Sequence, residues 1–159
     1  MTKFLFDIDG VVRHLSIGAL GREALCWNDA DSSGCTVFEI VDSEPELCCT
    51  SPPTDLMHVV NTRMNEVEFL SAQPEKWRPH TDVWLRSNVR IPFTVRYVNA
   101  PNEKLQYLSD EVVLLDDYPK FDSYEHVVLV ERPYNIDCAA IHRIKNAQDL
   151  IELLEVTDG

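Results

Sequence analysis

Short, continuous apolar runs that close on acids or hydroxyls recur along this chain. They are KFLFD at residues 3–7, VEFLSA at 67–72, EVVLL at 111–115 running into Asp116 and Asp117, and HVVLV at 126–130. Runs of this length without polar alternation suit strands of a sheet that is buried on both faces. Between them lie stretches of helical periodicity. Over residues 54–66, Leu56, Val59, Val60 and Met64 fall on one side, with Thr54 or Asp55 as a start signal. Residues 79–89 place Val83, Trp84 and Ser87 at helical spacing, Pro92 opens an extended run over 93–98, and a short helix is expected at 102–108. Asn146 begins a final amphipathic helix through residue 155, with Leu150, Ile151 and Leu154 facing inward. Strands alternating with helices predict an α/β chain: a Rossmann-like three-layer sandwich around a mostly parallel central sheet.

From Arg13 to about Pro53 this order breaks down. Gly18, Gly21, Gly34, the NDADSSG cluster at 28–34 and the Pro52-Pro53 pair punctuate the segment, and TVFEIV at 36–41 reads as a strand of a small subdomain. The expected organisation is one α/β core formed by residues 1–12 and 62–159, with a small cap, 13–61, inserted after the first strand. A chain of 159 residues suffices for one well-buried core.

Charge narrows the partners. A formal charge of −13, with only 14 basic residues, argues against a large nucleic-acid footprint, which needs clustered Lys and Arg. No apolar run approaches the ~20 residues of a membrane span, so no membrane partner is expected. MTKFLFDIDG is interrupted by acids and does not read as a secretory signal, so a cytoplasmic location is expected. Without export, the five cysteines (26, 35, 48, 49 and 138) read as reduced thiols. Cys35, Cys48, Cys49 and His58 lack the spaced pairs of common zinc sites.

The acids at the strand ends carry the chemistry. Asp7 and Asp9 leave the first strand two residues apart, Gly10 permits a turn there, and Asp116 and Asp117 leave a later strand. Ligands of parallel sheets gather at the carboxyl ends of the strands, where Ser71 and Lys104 can join these acids. Carboxylates converging there repel by roughly 4 kcal/mol per pair at ~4 Å and an effective dielectric of ~20. Raised pKa values or a bound cation must offset that repulsion. Oxygen ligands without His or Cys select magnesium.

FLFDIDGVV, the Ser of FLSA, Lys104 and VVLLDDYP resemble, in order, the four motifs of the haloacid dehalogenase superfamily. DGV, LLDDYP, HVVLVERPYNI and the segment 76–89 with Trp84 narrow the resemblance to its 5′(3′)-deoxyribonucleotidase branch. The resemblance covers residues 3–12 and 67–154. It implies a core of that superfamily's type and a magnesium-dependent phosphatase acting on a nucleoside monophosphate. Asp7 would be the nucleophile and Asp9 the general acid–base. Asp7, the Asp9 carbonyl, Asp116 and Asp117 would hold Mg2+, and Ser71 and Lys104 would bind the phosphoryl group. The insert 13–61, which lies where that branch carries its specificity cap, departs from the branch's pattern, and ERPYN stands where that branch has QPYN.

The partner so implied is a small phosphomonoester, with the chain a monomer or homodimer. Rival readings are a phosphatase of a sugar phosphate or of a nucleic-acid terminal phosphate, and a catalytically idle binding or regulatory module. Lys120 competes with Lys104 for the phosphate-binding role. Trp27, Trp77 and Trp84 are expected to pack in the core or cap, with a cap tryptophan able to stack on a base. Arg13, Arg78 and Arg132 are expected to be solvated, and His14 has no partner that would make it a nucleophile.

Overall fold

The computed structural model describes residues 1–158. Six strands form one sheet in which every pairing is parallel: β1 Lys3–Phe6, β2 Val67–Ala72, β3 Phe93–Val98, β4 Val112–Asp116, β5 Val127–Val130 and β6 His142–Ile144. Their spatial order is β3-β2-β1-β4-β5-β6. This is the doubly wound order, and the chain reverses direction across the sheet between β1 and β4.

Alternation along the strands sorts their side chains onto two faces. Phe4, Phe6, Phe69, Leu115, Val128 and Val130 pack on one face. That face is covered by α4 (Asp55–Arg63), α5 (Arg78–Asn88) and α6 (Ala147–Asp158), through residues such as Val60, Trp84 and Leu150. Leu5, Leu70, Leu114 and Val127 face the other way, against 3-10 segments at Pro101–Tyr107 and Pro119–Phe121 that contribute Leu105, Tyr107 and Phe121. The sheet is thus covered on both sides, on one of them by short tight turns. No helix among the described residues is long and apolar enough to cross a membrane.

The segment after β1 carries three short helices: α1 Leu15–Leu20, α2 Val37–Ser43 and α3 Leu47–Thr50. The strand expected at 36–41 is helix α2. Thr36 accepts a hydrogen bond from the Glu39 amide while the Glu39 carboxylate accepts one from the Thr36 amide. This reciprocal cap starts a helix strongly enough to override the β-branched composition of the run. Leu15, Val41, Cys48 and Trp77 form a small apolar cluster of their own beneath these helices. The expected boundary at residue 61 cuts through α4, whose Leu56, Met57, Val59 and Val60 belong to the main core.

Candidate active site

Asp7 follows β1 directly and Asp116 ends β4, the two strands flanking the reversal point. The β1–β4 ladder runs on past β1, with the Asp7 amide donating to the Leu115 carbonyl at 2.9 Å. The register therefore places the two acids side by side. Asp117 follows, and one carboxylate oxygen from each of Asp7, Asp116 and Asp117 lies within 4.8 Å of the others, all three residues being buried. Lys104, on the 3-10 segment after β3, reaches between them, its Nζ 2.9 Å from Asp7 Oδ1 and 2.6 Å from Asp116 Oδ2. Only 3% of the Lys104 side chain is exposed, whereas the rival Lys120 lies at the surface.

Three buried carboxylates gather around one ammonium. Burial alone would pull Lys104 down, but Asp116 and Asp7 outweigh it and hold its pKa above the usual lysine value. Burial raises Asp7 well above the ordinary carboxylate range; Lys104 opposes this, while Asp116 and Asp117 add to it. Asp117 is pushed up to about 7, first by burial and then by Asp116, with Tyr134 and Lys104 pulling the other way. The folded pocket resists full ionisation even with Lys104 in contact and Arg132 acting from farther off. A hard divalent cation matches the donor set, which is all oxygen and carries excess negative charge. Asp7, Asp116 and Asp117 could hold one.

The 3-10 turn Pro133–Asn135 after β5 locks the pocket from behind. The Tyr134 hydroxyl donates to Asp117 Oδ2. Asn135 Nδ2 donates to the Asp117 carbonyl at 3.0 Å and to the Val130 carbonyl at 2.8 Å. Arg132 Nε donates to the Gly10 carbonyl at 2.7 Å, tying this turn to the loop after β1. Gly10 adopts a φ of 76°, and a Cβ there would fall 1.9 Å from Asp117 Oδ2. Only glycine lets the loop pass so close.

Asp9 turns away from the three-acid cluster. Its Oδ1 accepts from Arg13 Nε at 2.7 Å, and about a quarter of its side chain is exposed. Ser71 sits near the end of β2, next to β1, and is buried; the register brings it one step beyond the level of Asp7. The sequence-nominated residues thus divide into Asp7, Lys104 and Asp116 in direct contact, Asp117 close beside them, and Asp9 and Ser71 on the flanking loop and strand.

The arginines depart from expectation. Arg13 is fully buried, its guanidinium sharing the interior with Asp9, the Cys48 carbonyl and Thr81. Arg78 is half-buried, bound to the Gln73 carbonyl and Asn99 Oδ1 and lying 5.3 Å above the Tyr97 ring. Arg132 is half-buried on the Gly10 carbonyl. None is the solvated cation expected, because each finds backbone or side-chain acceptors brought near by the fold. Gly10 makes the turn expected of it, whereas Tyr134 and Asn135 are pocket residues that sequence reasoning does not single out, although the run PYN after an apolar strand marks a tight turn at a strand end.

Trp77 and Trp84 are buried, as packing residues should be, whereas Trp27 is 48% exposed. Its ring lies 5.1 Å from Tyr118 and 5.4 Å from Tyr134, at the edge of the acidic pocket. Cys35, Cys48, Cys49 and His58 do not assemble: among the described residues Asp7, Asp116 and Asp117 are the set of potential metal ligands that converges. A cavity of about 640 Å3 opens at the far end of the sheet, beside the amino ends of β1, β2 and β3, away from these groups. Compared with protein-family models and with curated proteins, the chain matches none.

Proposed function

We propose that this chain is a divalent-cation-dependent phosphomonoesterase of the haloacid dehalogenase type, acting on a nucleoside monophosphate through an aspartyl-phosphate on Asp7. The observation that carries the reading is the meeting of Asp7 with Asp116, Asp117 and Lys104 at the crossover of a parallel sheet. Asp7 Oδ1 is engaged by Lys104, which leaves Oδ2 to attack phosphorus. Lys104 and the Ser71 hydroxyl would bind the non-bridging oxygens, since phosphoryl transfer depends mainly on positioning and charge neutralisation. Asp9 would give a proton to the departing alkoxide and later take one from the hydrolytic water. Asp7, Asp116, Asp117 and the Asp9 carbonyl would hold Mg2+, which supplies charge neutralisation when bound.

The nucleotide, rather than a sugar phosphate, is favoured by the aromatic rim. Trp27, Tyr118 and Tyr134 offer ring surface beside the pocket, with Tyr134 bonded to Asp117 itself. A planar base can use such a surface, and a sugar cannot stack on it as well.

The test is turnover of a panel of mononucleotides and sugar phosphates with and without magnesium. Asp7→Asn should lower kcat by several decades and abolish trapping of the phosphoenzyme. Retention of magnesium-dependent turnover by that variant would remove Asp7 as nucleophile. Absence of turnover on every phosphoester, with magnesium still bound, would instead favour a binding or regulatory module.

A further inference from the structure

A line of buried polar side chains joins Asp9 to Ser71 through the interior. Arg13 Nε donates to Asp9 Oδ1, and its Nη1 donates to the Thr81 hydroxyl at 3.1 Å as well as to the Cys48 carbonyl at 2.8 Å. The Thr81 hydroxyl donates to Gln73 Oε1 at 2.8 Å, and Gln73 Nε2 donates to Ser71 Oγ at 3.0 Å. Arg13, Thr81, Gln73 and Ser71 are each at most 2% exposed. Packing alone does not call for this many polar groups, because each buried hydroxyl or amide must find a partner to avoid a desolvation penalty.

The line has one direction, and Arg13 sets it. A guanidinium has donors and no acceptor, so the Thr81 oxygen must accept from it. Thr81 donates its single proton to the Gln73 carbonyl oxygen. With Oε1 turned to Thr81, the amide nitrogen faces Ser71. An amide nitrogen does not accept, so Ser71 Oγ is the acceptor in that bond. Its own proton is left over, and no hydrogen bond donated by Ser71 Oγ is formed among the described residues. Ser71 thereby keeps its proton free to donate, beside one lone pair that Gln73 does not use. The free proton suits an oxyanion, to which it can donate.

We infer that Arg13, Thr81 and Gln73 are positioning residues, a one-way hydrogen-bond relay that presents the Ser71 hydroxyl as a donor to a tetrahedral oxyanion. This rests on the proposed function, in which Ser71 meets a phosphoryl oxygen, and adds to it the residues that orient that contact. The same guanidinium holds Asp9, so the leaving-group side and the phosphate side of the reaction share one buried anchor.

The test is a double-mutant cycle read as affinity for inorganic phosphate, measured calorimetrically with saturating magnesium. Thr81→Val should raise Kd about tenfold when Ser71 is present, in keeping with one charge-assisted hydrogen bond, and leave Kd unchanged in the Ser71→Ala background. Thr81→Ser, which keeps the hydroxyl, should restore wild-type affinity. If Thr81→Val fails to give a cooperative thermal transition, Gln73→Met breaks the same relay at its next link and carries the same expectations. Equal weakening in both backgrounds, or none in either, would overturn the relay while leaving the phosphatase reading in place. A wild-type chain that binds magnesium but no phosphate would overturn that reading, and the relay with it.

Discussion

Two groups of buried charge flank the turn after β1, and they are balanced differently. On one side, Asp9 meets Arg13 one to one, and the guanidinium also donates to Cys48 and Thr81. On the other, Lys104 pairs with Asp7 and Asp116, and Asp117 adds a third carboxylate beside them that no cation among the described residues contacts directly. Taking charges out of water is expensive, and an interior that serves stability alone neutralises them. The first group follows that rule and the second violates it at the carboxyl ends of the strands, where parallel sheets collect their ligands. The contrast separates a brace that the fold completes by itself from a pocket whose excess charge, on the proposed function, calls for a cation.

The largest effect should come from breaking the brace. Arg13→Met removes the cation from beside Asp9 and strands the Thr81 oxygen, so the chain should lose about 3–5 kcal/mol of stability in urea unfolding at pH 7. One guanidinium nitrogen, Nη2, is buried without a partner even in the native chain, so the gross loss is partly offset. A loss below about 1 kcal/mol would mean that Asp9 reaches water freely and that the brace is not structural.

Relieving the pocket should do the opposite. Asp117→Asn keeps an acceptor for the Tyr134 hydroxyl but removes one negative charge from the crowded side. Affinity for magnesium should fall by at least ~100-fold, since even outer-shell partners of a metal are worth 10–100-fold. In the presence of a chelator the variant should unfold no more easily than the native chain. Destabilisation of the metal-free variant would show that the three acids stabilise the fold on their own.

The pH dependence sharpens this further. The Asp117 pKa stands at about 7 in the folded chain against an ordinary 3.8. Between those values the native state keeps a proton that the unfolded chain releases. The stabilising contribution is therefore full below about 3.8 and is lost as pH rises through about 7. Without divalent cations, the stability gap between Asp117→Asn and the native chain should widen in favour of the variant from pH 5 to pH 7. Its slope should not exceed about 1.4 kcal/mol per pH unit. Saturating magnesium should flatten it. A gap independent of pH under chelation would place the ionisation of the pocket elsewhere.

What could be read from the sequence follows the same division. The pocket was legible because its acids sit at the ends of uninterrupted apolar runs, and parallel pairing brings such ends together with little freedom. The brace was not. Arg13 and Asp9 are four residues apart, which hints at a pair, but Thr81 lies 68 positions from Arg13 and Gly10 lies 122 from Arg132. No local pattern marks those arginines as buried. TVFEIV satisfies strand composition and so predicts a strand where helix α2 stands, although Thr36 and Glu39 also satisfy the spacing of a helix cap. Strand β6, three residues long with an exposed first residue, offered no apolar run to find.

The smallest effect belongs to a balanced pair left in water. Lys76 Nζ lies 2.8 Å from Asp42 Oδ1 and links the turn before α5 to α2, with the two side chains 51% and 40% exposed. Solvent screens this pair, and holding two mobile side chains in one geometry offsets part of the Coulomb gain. Lys76→Gln should therefore change stability by less than about 1 kcal/mol, and added salt should erase even that. The seating of α2 is expected to depend instead on the apolar cluster of Leu15, Val41, Cys48 and Trp77. Val41→Ala, which opens a cavity in that cluster, should cost more than Lys76→Gln at every salt concentration. The reverse ranking in urea unfolding would mean that surface charge, and not packing, holds the inserted segment to the sheet.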